Sequence, residues 1–212
     1  TVDEFVHGYR TNPDMDFHTM VAEMAKIPRK QAKVINLGMM YGMGVRKLSE
    51  QLDLTIEEAK DLTAQYHARV PFVKELMEGV TVSVENNRKD GSVRSIGGRK
   101  CRFNQWEPRA FGVHKAMGLE EAQATYGPTT SLKRAYTYKA LNRLIQASAA
   151  DMTKQAMVNV YESGELPLLQ VHDELGCSIR DVEHARHIAK MMEEAIPLTV
   201  PMKCDIEIGP SW

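Results

Sequence analysis

The chain has 212 residues, 43% hydrophobic and 26% charged, enough for one large domain or two modest ones with a real core. Its formal charge of −1 gives no overall basic character, so any nucleic-acid surface must come from local clustering. Cys101, Cys177 and Cys204 fit no zinc spacing and no disulfide framework, and no apolar run approaches the ~20 residues of a membrane span. No signal peptide is visible. The first residue is Thr1, and a helix-like pattern follows at once, which is expected of a piece of something longer.

Residues 2–9 predict a short helix and Asn12-Pro13-Asp14 a turn. A second helix is expected over about 16–25. Pro28 suits the first turn of a third, running to about Met40 and stopping near Gly42 and Gly44. Residues 45–52 and 56–69 read as helices, the latter with Thr55 and Glu58 as a capping box. Pro71 opens another, to about Asn86. Asp90-Gly91 and Gly97-Gly98 then punctuate a basic segment as hairpin turns. Residues 103–130 are the least regular. A long helix is expected over about 131–162, capped by Thr130 or Ser131 and stopped by Gly164. Two strands, 168–171 and 175–179, flank His172-Asp173-Glu174. A helix over 181–195 and a strand over 201–207 complete an α+β chain.

Arg29, Lys33, Leu37 and Tyr41 recur every four residues, so on a helix they form one ridge of two cations, an apolar side chain and a phenol. Cations suit phosphates, and an apolar group with a flat ring suits sugar and base. Gly38 and Gly42 permit close approach. The plainer alternative is an amphipathic helix with a solvated basic end. The string Arg-x3-Lys-x3-Leu-x3-Tyr-Gly resembles the motif B helix of family A (DNA polymerase I-like) DNA polymerases. The resemblance implies that Arg29 and Lys33 bind the incoming triphosphate, that Lys33 can protonate the leaving pyrophosphate, and that Tyr41 sits near the templating base. Leu37 departs from the family's Phe or Tyr, implying altered handling of sugar and base. Asp16-Phe17-His18 resembles the family's Asp-x-His, whose His contacts the triphosphate; by itself a lone His is more often structural.

Gln170-Val171-His172-Asp173-Glu174-Leu175 places adjacent carboxylates between apolar strands. Phosphoryl transfer through two Mg²⁺ ions roughly 3.5–4 Å apart needs rigidly held acids. Successive strand residues face opposite ways, so only one of the pair can face the metals; Asp173 is taken as the expected direct ligand and Glu174 as a supporting carboxylate. An exposed acidic turn is the alternative. The string resembles motif C of the same family, implying that His172 contacts the primer terminus and Asp173 both ions.

Residues 88–102 hold Arg88, Lys89, Arg94, Arg99, Lys100 and Arg102 against one acid, Asp90, as a phosphate-tracking loop would; a solvated basic loop is the alternative. Gly97-Gly98-Arg99-Lys100 resembles the family's Gly-Arg-Arg. Asn142 and Gln146 share a helix face and resemble the family's minor-groove Asn-x3-Gln, where amides read contacts common to all base pairs. Ala147-Ser148 replaces Gly-Thr, and Tyr138 stands where many members carry Arg, with Lys139 as a possible substitute. The resemblance covers the chain except about 103–130, its motifs in family order. It implies helical fingers over 1–130 and the distal part of an antiparallel-sheet palm over 131–212, as in a right-hand polymerase. Implied partners are primer-template DNA and dNTP, with no membrane. Implied location is the cytoplasm of a bacterial or phage-infected cell, with a bacteriophage source suggested by the variant residues. No Asp-x-Ser-x-x-Glu string, the family's motif A, occurs. The expectation is an inert chain completed by a missing N-terminal segment, in the same polypeptide or as a partner subunit. A single-subunit RNA polymerase fragment and a non-catalytic nucleic-acid-binding remnant remain as alternatives.

Overall fold

The computed structural model of the chain describes residues 2–12, 14–87 and 90–211, with residues 24 and 25 described through their backbone. Thr1, Pro13 of the expected turn, Arg88 and Lys89 of the basic segment, and Trp212 lie outside the described residues. The chain divides into two compact units, Asp16–Ile145 and the combination of Thr1–Met15 with Gln146–Trp212.

Helix α1 (Val2–Thr11) buries Phe5 and belongs with the C-terminal residues. Arg10 Nε donates to the Thr199 carbonyl at 2.9 Å, and Lys203 pairs with Asp14. The larger unit opens with α2 (Phe17–Ala25), whose N-cap Asp16 accepts from the His18 backbone N–H. Helix α3 (Arg29–Met40) begins one residue later than expected, because Pro28 takes the cap position instead of the first turn. It buries Ala32, Ile35, Asn36, Gly38 and Met39. Helices α4 (Val45–Leu52), α5 (Ile56–Arg69) and α6 (Pro71–Asn86) follow as expected, with the Thr55–Glu58 capping box formed and Pro71 in the first turn of α6. Helix α3 packs against α2, α4 and α6, and α5 against α2, α4 and α6. Val21, Ile35, Leu48, Tyr66 and Val70 are fully buried here. Each such aliphatic side chain stabilises by about 1.5–3 kcal/mol.

The basic segment forms the expected hairpin, β1 (Ser92–Arg94) against β2 (Lys100–Arg102). Val84, Val93, Phe103 and Ala140 make a second core patch behind it. The irregular stretch contains two elements that sequence reasoning left out, β3 (Trp106–Pro108) and α7 (Leu119–Tyr126), and a third, β4 (Leu132–Arg134), occupies the start of the expected long helix and pairs antiparallel with β3. The expected long helix therefore starts at Ala140, not at 131; a 3₁₀ turn over Thr137–Lys139 leads into α8 (Ala140–Glu162). The reason is tertiary. Arg134 is 6% exposed and donates to the carbonyls of Phe103 (2.7 Å) and Asn87 (3.1 Å), with its guanidinium over the Trp106 ring at 4.6 Å. Those bonds hold residues 132–134 extended despite their helix-friendly composition. Tyr136 at φ 60° then breaks the strand.

Helix α8 ends before Gly164, whose φ of 91° suits glycine. Strands β5 (Pro167–Val171) and β6 (Glu174–Cys177) form an antiparallel hairpin. Helix α9 (Val182–Glu193) is capped by Asp181. No strand forms over 201–207, contrary to expectation. The three sheets among the described residues are two-stranded and none includes that segment. It is held through side chains instead, with Cys204 N–H donating to Glu193 Oε1 at 2.9 Å. A mixed α+β chain with small antiparallel sheets is what results.

Candidate functional site

The ridge predicted on α3 exists and faces solvent: Arg29, Lys33, Leu37 and Tyr41 are all exposed, while the opposite face of the same helix is buried. Arg29 is held in place. Its Nε lies 2.6 Å and a terminal nitrogen 2.5 Å from Asp16 Oδ2, and Nε also meets Thr19 Oγ1 at 3.2 Å. Asp16 in turn accepts from the Thr19 hydroxyl (2.9 Å) and the His18 backbone N–H (2.9 Å). The Arg29 hydrogen bond, above all, pulls the Asp16 carboxyl down to about 2. This carboxylate stays charged throughout the physiological range and fixes the guanidinium fork.

His18 joins the same cluster. Its Nδ1 lies 3.1 Å from Nδ2 of Asn36, a fully buried residue of α3. Burial lowers the His18 pKa; Asp16 opposes this, and the Arg29 and Lys33 charges reinforce it. Helices α2 and α3 thus bring Asp16, His18, Thr19, Arg29 and Asn36 together. Sequence reasoning named His18 and Arg29 and missed Asn36 and the anchoring role of Asp16. Their visible signal was the polar residue on an otherwise apolar helix face.

At the C-terminal end of the ridge, Gly42 has φ 68°, and a side chain there would meet the Tyr138 carbonyl oxygen at 3.1 Å. The close approach that this glycine allows is thus made by the chain's own Tyr138. Beside it an apolar cleft of about 360 Å³ is lined by Met39, Met43, Met77, Val82 and Tyr138 among others. Lys139, considered as a substitute cation, lies over the Tyr136 ring at 4.9 Å and the Tyr138 ring at 5.5 Å.

The basic hairpin is partly neutralised. Lys100 pairs with Asp90 at 2.5 Å, and Arg94 donates to the Gly98 carbonyl at 2.9 Å. Arg99 is exposed in the connecting turn, where its backbone N–H donates to Ser95 Oγ at 3.0 Å. On α8, Asn142 is half-buried and Gln146 exposed, one helical turn apart.

In the other unit, the acidic hairpin turns through two residues, His172 and Asp173, with Val171 paired to Glu174. Glu174 therefore opens strand β6 instead of lying in the connection. His172 takes φ 54°, a left-handed conformation that a two-residue hairpin turn demands. Gln170 Nε2 donates to the His172 carbonyl across the turn. His172, Asp173 and Glu174 are all exposed, as are Leu168 and Leu169 on β5. Among the described residues, no group of three or more His, Cys, Asp or Glu side chains is gathered to hold a metal ion.

The model of a protein family described as DNA polymerase family A matches residues 6–212. The chain is 32% identical to a DNA-directed DNA polymerase of Pseudomonas phage M6, over 96% of this chain and 32% of that protein. It is also 32% identical to the thermostable DNA polymerase I of Thermus aquaticus, over 93% of this chain and 23% of that protein. Among solved structures it resembles the POL domain of Pol1 from M. smegmatis, in complex with DNA primer-template and dNTP. That likeness has a TM-score of 0.70 and 28% identity, covering 93% of this chain and 34% of that one. The chain thus spans about a third or less of the curated relatives it matches.

Proposed function

The chain belongs to DNA polymerase family A, and on that premise we propose that it contributes the nucleotide-binding and part of the catalytic surface for template-directed DNA synthesis. The observation that carries this reading is the exposed Arg29–Lys33–Leu37–Tyr41 ridge with Arg29 pinned by Asp16. A fixed guanidinium and an ammonium one turn apart match adjacent phosphates of a dNTP. Residues 1–130 act as fingers and 131–212 as the distal palm. The primer 3′-oxygen bonds to the α-phosphorus as the bond to pyrophosphate breaks, and Lys33 is the group placed to protonate that leaving group. Leu37 and Tyr41 shape the nascent base pair, His18 contacts the triphosphate, and Arg99, Asn142, Gln146 and His172 contact primer-template DNA.

Two Mg²⁺ ions would supply charge stabilisation to the attacking and leaving oxygens. Asp173, with Glu174 beside it in sequence, supplies only part of such a ligand set, since no three-group cluster occurs among the described residues. On this reading the chain alone is inert and acts when completed by a polymerase segment bearing Asp-x-Ser-x-x-Glu. The names of the relatives favour deoxyribonucleotides over the ribonucleotides of a single-subunit RNA polymerase. The setting is the cytoplasm of a bacterial or phage-infected cell; no helix among the described residues is long and apolar enough to cross a membrane.

Primer extension with dNTPs and Mg²⁺ tests the reading. Extension is expected only when the completing segment is added, and its loss in Asp173→Ala would follow. DNA binding without extension in the completed mixture would instead mark a non-catalytic binding module.

A further inference from the structure

Asn36 presents a physical problem. A fully buried carboxamide costs stability unless both its ends are hydrogen-bonded. Its Oδ1 meets no donor among the described residues, and its Nδ2 meets His18 Nδ1. An aliphatic residue would fill the space on α3 without leaving an orphaned oxygen. The amide must serve something other than packing, and His18 is what it touches.

We propose that Asn36 is a positioning residue that selects the tautomer of His18, so that the ring offers Nε2–H to a phosphate oxygen of the nucleotide. This rests on the triphosphate reading of the α2–α3 surface. The chemistry is a matter of donors and acceptors. An amide N–H donates to Nδ1, so Nδ1 carries the lone pair and the ring proton resides on Nε2. A phosphate oxygen only accepts, and the opposite tautomer would aim a lone pair at it. The choice matters because the ring is neutral near pH 7: burial and the facing Arg29 and Lys33 charges outweigh the facing Asp16 carboxylate. A protonated ring would present two N–H groups and need no selection. The rest of the ring's surroundings limits its motion, since the His18 backbone N–H is tied to Asp16 and Phe17 packs edge-on at 6.1 Å.

The test uses the whole chain, with inorganic triphosphate and dATP as probes. Two-dimensional ¹⁵N–¹H spectra of the imidazole, with His18 assigned by His18→Gln, report the tautomer without any nucleotide. Nε2–H is expected in the wild type and a mixture in Asn36→Leu. Triphosphate binding should weaken about tenfold in Asn36→Leu and equally in His18→Ala, with no further loss in the double variant. Asn36→Asp keeps the size but accepts from Nδ1–H. It should raise the His18 pKa and make binding pH-dependent, strong where the ring is charged and weak above. An Nδ1–H tautomer in the wild type, or an unchanged tautomer in both Asn36 variants, overturns the proposal. Binding lost in Arg29→Ala but untouched by His18→Ala and Asn36→Leu overturns it while sparing the nucleotide reading. Binding untouched by Arg29→Ala as well removes both.

Discussion

The α2–α3 surface and the β5–β6 hairpin carry opposite charges and are built in opposite ways. On α2 and α3 two of the predicted site residues have local partners: Asp16 and Thr19 hold Arg29, and Asn36 meets His18. Both helices are backed by a core of fully buried side chains such as Val21 and Ile35. The hairpin is a two-stranded ribbon whose acids and neighbouring leucines are exposed, and such a ribbon is marginal without further packing. The difference teaches that the cationic end of the ridge is positioned by side chains of its own unit. The acidic turn has a defined backbone geometry, with Val171 paired to Glu174 and His172 at φ 54°, but its carboxylates are exposed.

The sharpest way to break that contrast is Asp173→Ala. In the completed enzyme it should cost several kcal/mol of transition-state stabilisation, roughly a thousandfold in extension rate. Triphosphate binding to the chain should stay unchanged, because the α2–α3 surface is independently organised. Loss of both together, with the fold intact by circular dichroism, would refute the separation.

Arg29→Ala should reverse the pattern. One charge-assisted contact is worth about 1.5–3 kcal/mol, so KM for dNTP should rise roughly ten- to a hundredfold with a smaller change in kcat. Steady-state kinetics at varied dNTP concentration would decide this.

Gly91→Ala probes the scaffold of the larger unit. A Cβ there would lie 2.1 Å from Arg134 Nε, in the buried guanidinium that donates to the Phe103 and Asn87 carbonyls. A destabilisation of about 1–3 kcal/mol is expected, read as a lowered melting temperature, without altered DNA affinity per folded molecule.

The smallest effect concerns acid. Asp16 has a folded pKa of about 2 against an ordinary 3.8, so its pairing contributes fully above 3.8 and is lost as pH falls through about 2. The stability gap between wild type and Asp16→Asn should therefore be flat from pH 5 to 7 and shrink below pH 4. Denaturant melts across that range would show it; a gap that grows on acidification would contradict the Arg29 pairing.

Much of the chain was legible residue by residue. The four-residue spacing of Arg29, Lys33, Leu37 and Tyr41 needs only helical geometry to become a ridge, and Thr55 with Glu58 needs only a helix start to become a capping box. Residues 131–139 defeated the same logic. Leu132, Lys133, Arg134 and Ala135 favour a helix locally, yet pairing with β3 and burial of Arg134 impose a strand. The expected strand at 201–207 failed for the converse reason. An apolar alternation supplies the faces of a strand but not the neighbouring edge it must bond to.

By itself the sequence determined the family, the order of the motifs and the placement of the cations on one helical face, because these follow from residue identity and short-range periodicity. Tertiary structure alone decided that Asp16 anchors Arg29, that Asn36 reaches His18, and that Glu174 starts a strand while Asp173 occupies a turn. Those outcomes depend on the packing of one helix against another and on strand register. Both are set by contacts between residues distant in the chain or across a turn, which no local pattern encodes.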